Sequence, residues 1–145
     1  MILKNGYIHV TATPDETLNF GESIASELKS GDILCLHGDL GAGKTHLVKG
    51  IASGLGVDLK KVNSPTFTLI NEYPTTPKVY HFDLYRINSD AELLELGVDE
   101  YLFDDGICLI EWPEKMANFL PDDSVHVFIE KKSETERIFN IRIEK

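Results

Sequence analysis

Apolar and polar residues alternate through Tyr7-Ile8-His9-Val10-Thr11-Ala12, the period-two pattern of a strand with one covered face. Thr13-Pro14-Asp15-Glu16 follows as a capping box with proline at the first helical position. Leu18, Phe20, Ile24, Ala25 and Leu28 then form one stripe at helical spacing, which predicts a helix that runs until Gly31 ends it. A short apolar run, Ile33 to Leu36, leads into a glycine-rich turn. Beyond it Leu47, Val48, Ile51 and Leu55 recur at helical spacing, with Gly54 and Gly56 at the end. The order is strand, loop, helix.

Farther along, Phe67 to Tyr73 and Lys78 to Phe82 are β-prone segments separated by Pro-Thr-Thr-Pro, which predicts an antiparallel pair. Asp90 to Leu96 reads as a short acidic helix. Ile107 to Ile110 is continuously apolar, as expected of a central strand covered on both faces. SVHVFIEKK and ERIFNIRIEK alternate on either side of Ser-Glu-Thr and predict a C-terminal hairpin whose charged residues protect a sheet edge. These segments specify an α/β fold, a mixed sheet of about seven strands flanked by three to five helices. No Ser/Gly-rich tract, like-charge run or repeat interrupts the chain, so residues 1–145 read as a single domain.

Composition narrows the classes. A chain of 145 residues, 42% hydrophobic, has material for one core. With 14 Lys and Arg against 24 Asp and Glu, the formal charge is -10, which repels phosphate backbones and argues against a DNA- or RNA-coating protein. No stretch approaches the ~18 apolar residues of a membrane span, and the start lacks the features of a secretory signal. The expectation is a cytoplasmic protein that contacts neither membrane nor DNA. Cys35 and Cys108 each lie within an apolar run and are expected as buried, inert thiols. His9, His37, His81 and His126 show no metal-ligand spacing with one another or with the cysteines.

The chemistry begins at Gly38-Asp39-Leu40-Gly41-Ala42-Gly43-Lys44-Thr45, which fits G-x-x-x-x-G-K-[ST] at every fixed position. Glycines let successive N–H groups turn toward phosphate oxygens, and the following helix adds the positive end of its dipole. Lys44 is expected on the β and γ phosphates and the Thr45 hydroxyl on Mg²⁺. Hydrolysis also requires an acid near the metal. Asp83 ends KVYHF and Glu111 ends ICLI; both would stand at the C-terminal edge of the sheet if their strands run parallel to the one before the loop. Glu111 is preferred because its strand is the more continuously apolar, with a strand-end helix cap for Glu111 and a turn or salt-bridge residue for Asp83 as the alternative roles. Asn63-Ser64-Pro65-Thr66-Phe67 can carry the Thr66 hydroxyl to a γ phosphate as switch loops do; by spacing alone Ser-Pro-Thr is more often just a turn.

In their order and spacing, GDLGAGKT, SPTFTLINEY, HFDLYR (His81 to Arg86) and LIEWPE (Leu109 to Glu114) resemble the bacterial TsaE (YjeE) family over nearly the whole chain. That resemblance implies a P-loop NTPase-like three-layer fold and an ATPase, with ATP and Mg²⁺ as cofactors, required for threonylcarbamoyladenosine in tRNA. It implies action with the TsaB and TsaD proteins, TsaC supplying the activated intermediate, and contact with tRNA only through that complex. By the same resemblance Gly38 through His46 hold the nucleotide, Thr66 belongs to a switch segment, and Asp83 and Glu111 are the acids of the site. Trp112 matches the family's tryptophan, and His81 lies inside a family motif. The chain departs from the pattern at His46, where the family commonly has a second Thr; an imidazole N–H can take over that contact to the α phosphate. A small-molecule kinase would need more basic residues than Arg86, Arg137 and Arg142 to clamp two phosphorylated substrates. No Asn-Lys-x-Asp guanine site is present, which favours adenine by elimination. A non-catalytic nucleotide-binding scaffold stays open beside the ATPase.

Overall fold

The computed structural model describes residues 1–39, 41–62 and 69–143. Its strands are β1 (Ile8–Thr11), β2 (Ile33–His37), β3 (Ile70–Tyr73), β4 (Val79–Asp83), β5 (Ile107–Glu111), β6 (Val125–Lys131) and β7 (Arg137–Ile143). The helices are α1 (Pro14–Ala25), α2 (Lys44–Gly54), α3 (Asp90–Leu96) and α4 (Val98–Leu102), with 3₁₀ turns at Leu59–Lys61 and Pro113–Phe119. The seven strands form one sheet in the order β1-β7-β6-β2-β5-β4-β3. The four central strands β6, β2, β5 and β4 are parallel, while β7, β1 and β3 join antiparallel. Among the described residues no helix is long and apolar enough to cross a membrane.

Strand alternation sends side chains into two cores. Leu34, Leu36, Leu109 and Val79 meet Ile24, Leu47 and Ile51 of α1 and α2 on one face. Cys35, Cys108, Ile110 and Phe82 meet Leu93, Val98 and Leu102 of α3 and α4 on the other. Every residue of β5 is buried, as its unbroken apolar run predicts. Both thiols are free and buried, and burial pushes each up to about 12, so neither ionises at neutral pH.

The capping box forms as predicted: Thr13 Oγ1 accepts from Glu16 N–H at 3.2 Å and Glu16 Oε1 accepts from Ala12 N–H at 3.0 Å. The helix does not reach Gly31, however; α1 stops at Ala25. Glu27 and Leu28 donate to the carbonyls three residues back, and the Glu27 carboxylate accepts the N–H groups of Ile2 and Leu3. The last apolar position thus stays on the core while a tightened turn replaces the final helical turn. A second correction concerns the C-terminal hairpin. It forms, but it is not an edge, because β1 pairs with β7 from Ile8↔Asn140 to Thr11↔Arg137. Glu130 and Arg142 are exposed on this sheet, and among the described residues its outermost strands are β1 and β3.

The phosphate-loop helix is seated by glycines. A Cβ on Gly50 would lie 2.3 Å from the Leu18 carbonyl oxygen, and one on Gly21 would lie 2.7 Å from Ile51 N. The backbones of α1 and α2 touch there. Although alanine gains up to ~1 kcal/mol of helix propensity over glycine, backbone cannot yield as a side chain does, and overpacking costs ~1–3 kcal/mol or more. Gly50→Ala is expected to lower the urea midpoint. An unchanged or raised midpoint would show that the helices separate freely.

Candidate functional site

From His37 the chain leaves β2 through Gly38 and enters α2 at Lys44. Gly41 (φ 81°) and Gly43 (φ 103°) occupy the left-handed region, which is why glycine is needed at both. Ala42 N–H donates to Asp39 O at 3.0 Å and Leu47 N–H to Gly43 O at 3.0 Å, closing the loop onto the helix. Gly43 caps α2 without a side-chain hydrogen bond, and the first helical turn carries no acid. The positive end of the helix is thus unopposed by its own sequence.

Lys44 is only 5% exposed. Its Nζ donates to Gly38 O at 2.5 Å and stands 3.3 Å from the centre of the Trp112 ring. Burial lowers its pKa, and the charges of Glu111, Glu114, Asp83 and Asp39 oppose that shift. Trp112 holds φ 60° and ψ 49°, a left-handed conformation that costs a non-glycine residue on the order of 1–3 kcal/mol. The Tyr85 ring lies 5.0 Å from it.

Asp83 and Glu111 are register partners at the C-terminal ends of parallel β4 and β5. The condition set by the sequence is met: both strands run parallel with β2 as one set, and β5 is its direct neighbour. Glu111, 3% exposed, has Oε2 2.6 Å from His81 Nε2, and His81 is fully buried. His81 Nδ1 has no hydrogen-bond partner among the described residues. The proton therefore belongs on Nε2, where it donates to the carboxylate. Asp83 is half-buried and accepts from Tyr85 N–H at 3.1 Å. Burial raises its pKa, with Glu111 adding to the rise and the Tyr85 N–H opposing it.

Gly38, Asp39, Gly41, Ala42 and Gly43 lead into α2, where Lys44, Thr45 and His46 form its first turn and Lys44 feels the charge of both acids. Leu40 and Thr66 lie outside the described residues. His46 Nε2 is buried without a hydrogen-bond partner among the described residues, and burial lowers its pKa. The ring nitrogens of His37 and His126 lie 2.8 Å from each other, and His37 is stacked on Phe128. Among the described residues no three His, Cys, Asp or Glu side chains converge as a metal cage. Two carboxylates at the ends of adjacent strands, with Thr45 in the first turn of α2, are oxygen donors of the kind Mg²⁺ takes.

Sequence reasoning missed two contacts. Arg137 Nε donates to Ala42 O at 2.7 Å, reaching the loop from the start of β7. No spacing rule links residues that far apart; only the strand order brings them together. The pairing of His81 with Glu111 had a faint signal, since His81 and Asp83 are two apart on one strand and share a face.

Residues 11–139 match the family model for Threonylcarbamoyl adenosine biosynthesis protein TsaE. The tRNA threonylcarbamoyladenosine biosynthesis protein TsaE of Bacillus subtilis is 43% identical over 128 residues, covering 88% of this chain and 79% of that one. The protein of the same description from Haemophilus influenzae is 41% identical over 133 residues, 86% and 84% of the two chains. The crystal structure of Bacillus subtilis YdiB superposes with a TM-score of 0.78 at 34% identity, over 95% of this chain and 85% of that one. With the family model matched over residues 11–139 and relatives 43% and 41% identical over most of the chain, the chain belongs to the TsaE family.

Proposed function

We propose that residues 1–145 act as a single Mg²⁺-dependent ATPase domain required for threonylcarbamoyladenosine modification of tRNA, working in the cytoplasm with the TsaB and TsaD proteins. The observation that carries this reading is the convergence of Lys44, Asp83 and Glu111 at the C-terminal ends of adjacent parallel strands, in a chain of the TsaE family. Gly41 and Gly43 give the loop the backbone turns that aim N–H groups at phosphates. Lys44 leaves Gly38 O and the Trp112 face to meet the β and γ oxygens. Thr45 and one or both acids would hold Mg²⁺, which when bound neutralises charge on the β and γ phosphates. Glu111, oriented by His81, is then the group to hold the metal or aim the attacking water. A net charge of -10 leaves tRNA to the partner subunits. The scaffold alternative draws on one observation: Lys44 Nζ donates to Gly38 O and lies over the Trp112 ring, contacts that hold it within the protein.

Lys44→Ala removes the one lysine of the loop, and a charge-assisted contact is worth ~1.5–3 kcal/mol. ATP affinity measured by calorimetry is expected to fall at least about tenfold. Unchanged affinity in a folded variant would defeat the phosphate-loop assignment.

A further inference from the structure

Among the described residues the Arg137 side chain makes five hydrogen bonds, all to main-chain carbonyls. Nε donates to Ala42 O at 2.7 Å and Nη2 to Gly41 O at 3.5 Å. Nη1 donates to Ser133 O at 2.7 Å, Glu136 O at 2.9 Å and Glu134 O at 3.3 Å. Two of these acceptors belong to the phosphate loop and three to the turn between β6 and β7. Among the described residues no carboxylate lies within ion-pair distance of the guanidinium. Its charge therefore stands against the loop without a counter-ion there. Contact is close, since a Cβ on Gly43 would lie 3.2 Å from Nε.

In a planar trans peptide the C=O of one residue and the N–H of the next point in opposite directions. Fixing the Ala42 carbonyl on Arg137 therefore fixes the Gly43 N–H away from the guanidinium. A rigid fork with several donors suits this task, because it holds two consecutive carbonyls of a loop whose glycines would otherwise swing. We infer that Arg137 is a positioning residue for nucleotide binding: it clamps the Gly41–Gly43 backbone in the phosphate-receiving shape and ties that shape to the β6–β7 turn. The inference rests on the reading of the loop as a nucleotide site.

The test uses the full chain with Arg137→Met and Arg137→Lys, read by calorimetry with ATP and, without nucleotide, by amide hydrogen exchange. Arg137→Met is expected to weaken ATP binding about tenfold, the scale of a lost charge-assisted contact. The Ala42 amide, held on Asp39 O, is expected to exchange at least about tenfold faster while the amides of β2 and β5 keep their protection. Arg137→Lys keeps the charge but not the fork and should recover only part of each loss. Wild-type affinity and wild-type loop exchange in Arg137→Met would overturn the clamp, as would full recovery of both by lysine. Should Arg137→Met fail to fold, wild-type values for both readouts in Arg137→Lys would overturn it equally. If the unaltered protein binds no ATP, the nucleotide reading fails, and the exchange arm, which no nucleotide enters, still decides whether Arg137 holds the loop.

Discussion

Glu111→Gln is expected to bind ATP at near wild-type affinity and to lose hydrolysis by at least ~10²-fold, the scale of a lost general base or electrostatic stabiliser. Glutamine keeps the volume of the side chain and an oxygen for His81 Nε2–H, so the packing at the end of β5 survives. What disappears is the negative charge that holds the metal or aims the water, a loss that falls on the transition state. Asp83→Asn should also slow turnover, because its carboxylate is the register neighbour of Glu111. It should slow it less, since Asp83 is more exposed and held by one backbone N–H. Saturation kinetics beside calorimetry separate binding from turnover. Full activity in Glu111→Gln with a dead Asp83→Asn would move the primary acid to β4.

Hydrolysis by the isolated chain should be slow, and the TsaB–TsaD pair should raise it by on the order of 10³-fold or more, the effect of supplied charge-stabilising groups on phosphoryl transfer. The reason lies in how the basic residues near the loop are spent. Among the described residues the Arg137 side chain gives its hydrogen bonds to carbonyls, and Lys44 is the one lysine of the loop. Little positive charge beyond Lys44 is left to meet the developing γ-phosphate. A partner that inserts a cation would supply it. The same acidic surface predicts negligible tRNA affinity for the free chain at physiological salt. Equal phosphate release with and without the pair, or tight salt-sensitive tRNA binding by the isolated chain, would contradict this division of labour.

The parts of the fold legible in the sequence are those fixed by local physics. Gly41 and Gly43 announce themselves because left-handed backbone excludes most other residues, and β5 does because a strand buried on both faces cannot alternate. Glu111 and Asp83 followed once their strands were read as parallel. The end of α1 carries no local mark, because Leu28 keeps helical spacing while Glu27 is drawn to the N-terminal amides by a tertiary contact. Charge on the C-terminal hairpin suggested an edge, yet β1 returns from the other end of the chain to cover it. Arg137 was invisible for the same reason: its partners are set by strand order, and its long side chain spans the distance.

The most direct test is the yield of threonylcarbamoyladenosine on tRNA in a reconstituted mixture of the TsaC, TsaB and TsaD proteins with their substrates, with and without this chain. The account predicts repeated turnover only when the chain is present and ATP can be hydrolysed, and loss of that turnover with Lys44→Ala. The same yield without the chain, or with Lys44→Ala in its place, would contradict it.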